Sequence, residues 1–216
     1  MTIKKYFTAL FLLIACYSGT SQKVDNNLQG KTITARFNFL GIMDYYDVNF
    51  SIGAEYGLKP NWSIGSDLAY VYQSAYLYES KNSKGFIFRP FIRFYPGKDK
   101  RGFLEAELHY KYVSYKLTDW IARDVTNGVP AYEEYTTFHF RKNVFGVSIK
   151  TGTQANLSRN KKFRLELYIG LGIRFKNQGA DVGTYIRGRG FFFDLYQPHY
   201  SAVVVPSGAR FLYDIW

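Results

Sequence analysis

Phe163-Arg164-Leu165-Glu166-Leu167-Tyr168-Ile169-Gly170-Leu171-Gly172-Ile173-Arg174-Phe175 alternates without a break. Every odd position is large and apolar. The even positions are arginine, glutamate, tyrosine and glycine. Successive side chains of a strand point to opposite faces, whereas a helix repeats every 3.6 residues. The stretch therefore predicts a strand with one wholly apolar face and one charged or small face.

The same split recurs along the chain. Ile33, Ala35, Phe37 and Phe39 oppose Thr34, Arg36 and Asn38, and Val48, Phe50, Ile52, Ala54 and Tyr56 oppose Asn49, Ser51, Gly53 and Glu55. Trp62, Ile64, Leu68, Tyr70 and Tyr72 oppose Ser63, Gly65 and Asp67, and Phe86, Phe88, Ile92 and Phe94 face away from Arg89 and Arg93. Leu104, Ala106, Leu108, Tyr110 and Tyr112 face away from Glu105, Glu107, His109 and Lys111. Phe145, Val147 and Ile149 oppose Ser148, Lys150 and Gly152, and the last segment sets Val203, Val205, Ala209, Phe211, Tyr213 and Ile215 against Arg210 and Asp214. That makes eight alternating segments, most of the length a tilted membrane strand needs. Residues 59–61, 96–102 and 158–162 make short, turn-rich connections, while 74–84, 118–137 and 177–199 make long ones. Long and short connections taking turns predict an all-β, eight-stranded antiparallel up-and-down architecture.

Alternation alone does not say which face is outside. A lipocalin-like carrier buries the apolar face, and a membrane barrel exposes it. The polar face carries Gly53, Gly57, Gly65, Gly152, Gly170 and Gly172, suited to a narrow interior and costly on an exposed strand. It also carries Arg36, Arg89, Arg93, Lys111, Lys150, Arg164, Arg174 and Arg210 against Glu55, Asp67, Glu105, Glu107, Glu166 and Asp214, with His109 among them. So even a balance fits an interior charge network, where an unpaired ion costs several kcal/mol. Aromatics make up 19% of the chain and crowd strand ends, as at Tyr70/Tyr72, Tyr110/Tyr112, Phe94/Tyr95 and Phe211/Tyr213, as interfacial girdles do. Mean hydropathy is −0.23, and no apolar run past residue 16 is long enough for a membrane helix. The expectation is a transmembrane β-barrel over residues 22–216, in the outer membrane of a Gram-negative bacterium.

Residues 1–21 have the parts of a signal peptide: Lys4 and Lys5, an apolar stretch from Tyr6 to Ala15, then Ser18, Gly19, Thr20 and Ser21. Leu13-Ile14-Ala15-Cys16 also fits a lipoprotein leader of residues 1–15 with Cys16 lipidated. Both readings stand. Cys16 is the single cysteine, so cleavage after Ser21 leaves no thiol and no disulfide. The net charge of +11 raises nucleic acid as a partner, but an exported chain does not meet it. The anions at hand are outer-membrane lipid headgroups and lipopolysaccharide phosphate.

Arg89-Pro90-Phe91-Ile92-Arg93-Phe94-Tyr95-Pro96, Gly170-Leu171-Gly172-Ile173-Arg174-Phe175 and Pro206-Ser207-Gly208-Ala209-Arg210-Phe211 resemble segments of the small outer-membrane β-barrel proteins of Bacteroidota, a family of unassigned function. The resemblance implies no catalytic residues. It does imply recognition of the C-terminal strand by the barrel-assembly machinery, with Trp216 as the terminal aromatic. Trp216 falls one position out of phase with Phe211, Tyr213 and Ile215.

The residues offer little chemistry beyond this. His109 with Glu105, Glu107 and Lys111 is the best acid–base or metal cluster, but a metal site wants several ligands. It reads as part of the charge network, with no metal and no cofactor. His139 and His199 sit by the long connections, and Ser201 near His199 raises a lipid A-modifying hydrolase, which needs a base and an orienting acid. Arg187 and Arg189, in a glycine- and phenylalanine-rich stretch, are candidates for binding an anion. Asp124, Glu133 and Glu134 suit either a cation or solvent. The leading expectation is a non-enzymatic barrel with an ion-paired, closed interior, acting structurally or through its long loops. A narrow pore for ions or small solutes and a lipid A-modifying enzyme are the alternatives.

Overall fold

The computed structural model of the chain describes residues 32–40, 47–74, 82–97, 99–124, 126–127, 129–180 and 199–215. The leader with Cys16, the loop arginines Arg187 and Arg189, and Trp216 lie outside the described residues, as does the side chain of His199.

Among the described residues, nine strands form one antiparallel sheet: β1 (Ile33–Asn38), β2 (Asp47–Lys59), β3 (Trp62–Ser74), β4 (Asn82–Phe94), β5 (Gly102–Arg123), β6 (Tyr132–Asn156), β7 (Phe163–Ala180), β8 (His199–Val204) and β9 (Ser207–Asp214). Each pairs with its sequence neighbour from β1 through β7. β9 pairs with both β7 and β1, which closes the sheet into a ring. No α-helix occurs among the described residues.

The eighth position around the ring is shared by β8 and β9. Gly172 faces Val204 and Ile169 faces Ser207, so both keep one register along β7. The interruption falls at Val205 and Pro206. Proline has no N–H to donate to a ladder, so the pairing lapses there and resumes in step.

Sidedness is the main consequence. The apolar series point outward: Leu108 is 58% exposed, Ile149 64%, Leu171 62% and Val203 77%. The charged series points into the ring, with Arg93 and Glu166 at 0%. Inward glycines at Gly53, Gly65, Gly152, Gly170 and Gly172 lie close against neighbouring backbone.

Three connections are shorter than the sequence suggests; of residues 74–84, Ser74 ends β3 and Asn82 already opens β4. Residues 118–137, expected as a long loop, are mostly strand: β5 and β6 stay paired out to Arg123 opposite Tyr132. The cross-strand pairs explain it. Thr118 and Thr137 hydroxyls lie 3.0 Å apart, the Trp120 and Tyr135 rings 5.3 Å apart, and Arg123 is 2.9 Å from Glu134, contacts that stabilise a two-stranded ribbon. β4 stops pairing at Asn82 opposite Lys116 and β7 at Ala180 opposite Phe140. Among the described residues, β5 and β6 therefore continue as a paired hairpin beyond the last pairs of β4 and β7. Its turn places Asp124 and Asn127 in the left-handed region, both with φ 50°. Likewise, residues 177–180, expected in a connection, belong to β7.

The interior is not charged throughout. Toward the long connections, Ala69, Val71, Ile87, Val113, Tyr115 and Phe140 form an apolar cluster inside the ring. Here strands are apolar on both faces, as in Phe86-Ile87-Phe88 and Tyr112-Val113.

Candidate functional site: the ion-paired interior

The central layer is built from one or two inward side chains of each of β1–β7 and β9. Arg93 of β4 is fully buried; it donates to Glu166 at 2.7 Å, lies 3.1 Å from Glu55, and pairs with Glu105. Arg36 of β1 reaches Asp67 at 3.1 Å and Glu55 and Glu105 at 3.4 Å. Arg210 of β9 reaches Glu166 at 2.8 Å, Asp67 at 3.2 Å and Glu105 at 3.3 Å. Lys150 pairs with Glu107 and lies 3.7 Å from Glu105. Ser63 and Tyr95 donate to Glu55 at 2.6 and 2.5 Å, and Gln154 donates to Glu166 at 3.0 Å. Three arginines and a lysine thus share five carboxylates, and glutamates from β2, β5 and β7 each receive several donors.

Each arginine also lies over an aromatic ring. The Arg36 guanidinium is 3.8 Å from the Phe91 centroid, that of Arg93 4.0 Å from Phe103, and that of Arg210 4.1 Å from Tyr168. Each ring in turn has a glycine directly across the strand pair: Gly65 for Phe91, Gly152 for Phe103, Gly208 for Tyr168. Without a Cβ, the glycine lets the ring lie against the wall and still leave space for the cation. A Cβ on Gly152 would sit 2.7 Å from Phe103 Cζ, and one on Gly208 would sit 2.6 Å from the Tyr168 hydroxyl. The repeated unit is glycine, ring, guanidinium, and it turns an electrostatic cluster into a packed one.

Overpacking is the expected consequence of filling such a slot. Gly152→Val should displace Phe103 and Arg93 together and destabilise the fold by about 1–3 kcal/mol. A urea titration against the parent would measure it, with Gly102→Val as the comparison, since a Cβ there meets nothing within 4 Å. Equal losses at both positions would sink the packing argument.

The remaining sequence-selected residues flank this layer. Arg164 pairs with Asp214 and donates to Gln154 at 2.6 Å, and Thr34 donates to Asp214 at 2.6 Å. Lys111 pairs with Asp47, which accepts from Ser74 at 2.7 Å. Arg89 donates to Ser51 at 2.9 Å. His109 is 7% exposed, with Arg174, Arg89, Lys111 and Lys150 as the charges around it. Neither of its ring nitrogens has a hydrogen-bond partner among the described residues. It is expected as a member of the network, but it lies inside the network without joining it. Glu105 and Glu107, expected beside it, turn to Arg93 and Lys150 instead. A gap between Glu107, His109, Ser148 and Arg174 is too narrow to hold a water molecule.

Among the described residues, no group of three or more histidine, cysteine or acidic side chains could hold a metal. His139 and Ser201 are exposed, opposite Lys116 and Phe175 respectively. Glu134 is engaged by Arg123.

Asp47 and the aromatics Phe91, Phe103 and Tyr168 were not among the candidates read from sequence. The signal for the rings was present: each interrupts the small-or-charged face of its strand with a bulky group.

The family model described as Protein of unknown function (DUF3575) matches residues 9–181 of the chain. That span runs to the end of β7 and stops short of β8 and β9. Comparison with curated proteins and with solved structures finds no match.

Proposed function

Since the chain belongs to the DUF3575 family, whose function is unknown, we propose from its own geometry that it is a non-enzymatic outer-membrane β-barrel, closed inside by ion pairs and acting at the cell surface through its projecting β5–β6 hairpin. The observation that carries this reading is the outward apolar belt around a charged, buried interior. Soluble monomers rarely expose contiguous apolar patches beyond a few hundred Å², and this belt is drawn from every strand. Lipid is the solvent that favours it. Aromatics border the belt at both ends. Trp62 with Phe94 and Phe163 with Phe211 lie at the short-turn end, and Phe86 with Tyr112 and Tyr110 with Phe145 at the other. This fits interfacial anchoring. The leader supplies the route of export, and the C-terminal strand the contact with the assembly machinery. The host would be a Gram-negative bacterium, with Bacteroidota suggested by the resemblance noted above.

Eight strand positions leave an interior that side chains fill, and here three arginines, their rings and the apolar cluster fill it. The purified chain should need detergent and should migrate differently on gels before and after boiling. In a planar bilayer the folded protein should give no discrete conductance steps. Solubility without detergent would refute the membrane reading, and reproducible steps would replace the closed interior with a pore.

A further inference from the structure

Cations gather on the outer face immediately beyond the apolar belt of β4–β6, at the end of the ring with the long connections. The row after Phe86, Tyr112 and Asn143 holds Lys84, Ser114 and Arg141, which face one another across the strands. The next holds Asn82, Lys116 and His139. Lys84, Lys116 and Arg141 are all exposed. None of the three is ion-paired with a carboxylate among the described residues. Neighbouring strands lie about 4.8 Å apart, so the three charges fall within about 10 Å of one another. Arg141 is flanked by Gly179, where an added Cβ would meet nothing within 4 Å, so the surface beside it is open.

Two further rows out, on the projecting hairpin, Thr118 faces Thr137 and Trp120 faces Tyr135. The Trp120 and Tyr135 rings are tilted by 51° and are 51% and 60% exposed. They stand about 20 Å along the strand from Ser114, less when measured along the tilted ring axis. On β3 the corresponding rim carries Tyr70 and Tyr72 and no cation.

The geometry points to this outward strip of β4–β6 as a docking site for the phosphorylated saccharide head of an outer-leaflet glycolipid. The inference rests on the membrane reading above and adds the partner. Each row matches one part of such a molecule. Acyl chains lie on Phe86, Tyr112 and Phe145, phosphates meet Lys84, Lys116 and Arg141, and sugar rings meet Trp120, Tyr135 and the threonine hydroxyls. Lysines and arginines at a membrane surface favour anionic headgroups, and amphipathic rings suit a sugar, with its apolar C–H face and polar rim. A plain phospholipid would satisfy the first two rows and leave the hairpin without a partner.

The test uses the full chain in detergent micelles, titrated with lipid A and followed by native mass spectrometry. A heat-dependent gel shift certifies each variant as folded. Wild type should retain lipid A. The triple variant Lys84→Ala, Lys116→Ala, Arg141→Ala should bind at least about tenfold more weakly, and dephosphorylated lipid A should bind wild type as weakly. The double variant Trp120→Ala, Tyr135→Ala should lose affinity for lipid A but not for phosphatidylglycerol. Equal binding by wild type and the triple variant would overturn the site, as would phosphatidylglycerol binding as tightly as lipid A. A wild-type chain that folds without detergent and shows no gel shift overturns the membrane reading and this site with it. Insertion without selectivity overturns the site alone.

Discussion

Arg93→Ala is expected to destabilise the protein by about 3–5 kcal/mol, the usual cost of removing one member of a buried charge network. The guanidinium faces Glu55, Glu105 and Glu166. Its loss leaves three buried carboxylates sharing Arg36, Arg210 and Lys150. The vacated space over Phe103 adds a cavity. Urea unfolding in lipid vesicles, scored by the heat-dependent gel shift, gives the number. Arg93→Met combined with Glu166→Met should recover part of it, because an apolar replacement of both partners removes the uncompensated charge. A loss below about 1 kcal/mol would mean a solvated interior, and the closed reading would fail together with the silent bilayer it predicts.

The second large effect is expected on the other face. Leu108→Arg should cost about 2–4 kcal/mol if Leu108 meets the middle of a bilayer, and within about 0.5 kcal/mol of nothing if it meets water. Leu108 is 58% exposed and sits mid-belt between Ala106 and Tyr110. Burial therefore predicts little, and the surrounding solvent decides the result. The same substitution at Trp120, on the projecting hairpin beyond the belt, should be nearly neutral for folding. The contrast between the two positions measures where the apolar slab ends, and a flat profile along β5 would remove it.

Much of this architecture is legible from local pattern. Alternation in residues 163–175 fixes a strand and its two faces, and the inward glycines point to a tight interior. The pattern is silent where both faces share a character. Ile87 and Val113 look like part of an outward apolar run, yet they line the interior beside Val71 and Tyr115. Residues 118–137 lack the period-two contrast although Ile121 and Ala122 within them are buried, because the small and polar residues around those two carry no matching alternation. The identity of partners is beyond local reading altogether. That Arg210 finds Glu105, 105 residues away, follows from the register around the ring, and no spacing along the chain encodes it. His109 shows the reverse case: its place on the inner face is plain from alternation, while its lack of a partner is a property of the assembled layer.

Among the described residues, the ring closes on its shortest ladder. β5 and β6 share 22 register pairs, whereas β1 and β9 share four, from Thr34 opposite Asp214 to Phe37 opposite Phe211. Every other junction joins segments that lie near one another in the chain and can zip as hairpins. This one must bring together residues 180 apart, as Thr34 and Asp214 are, so its loop-closure entropy is the largest of all. Closure is accordingly expected as the last event of folding, a prediction that time-resolved hydrogen exchange at Thr34 to Phe37 would check. The interior arginines bear on that closure. Arg36 from β1 and Arg210 from β9 both hold Asp67 and Glu105 on the strands facing them. They bind the two lips of the seam to one anchor, so the charge network acts as the latch that sets the lifetime of the closed ring.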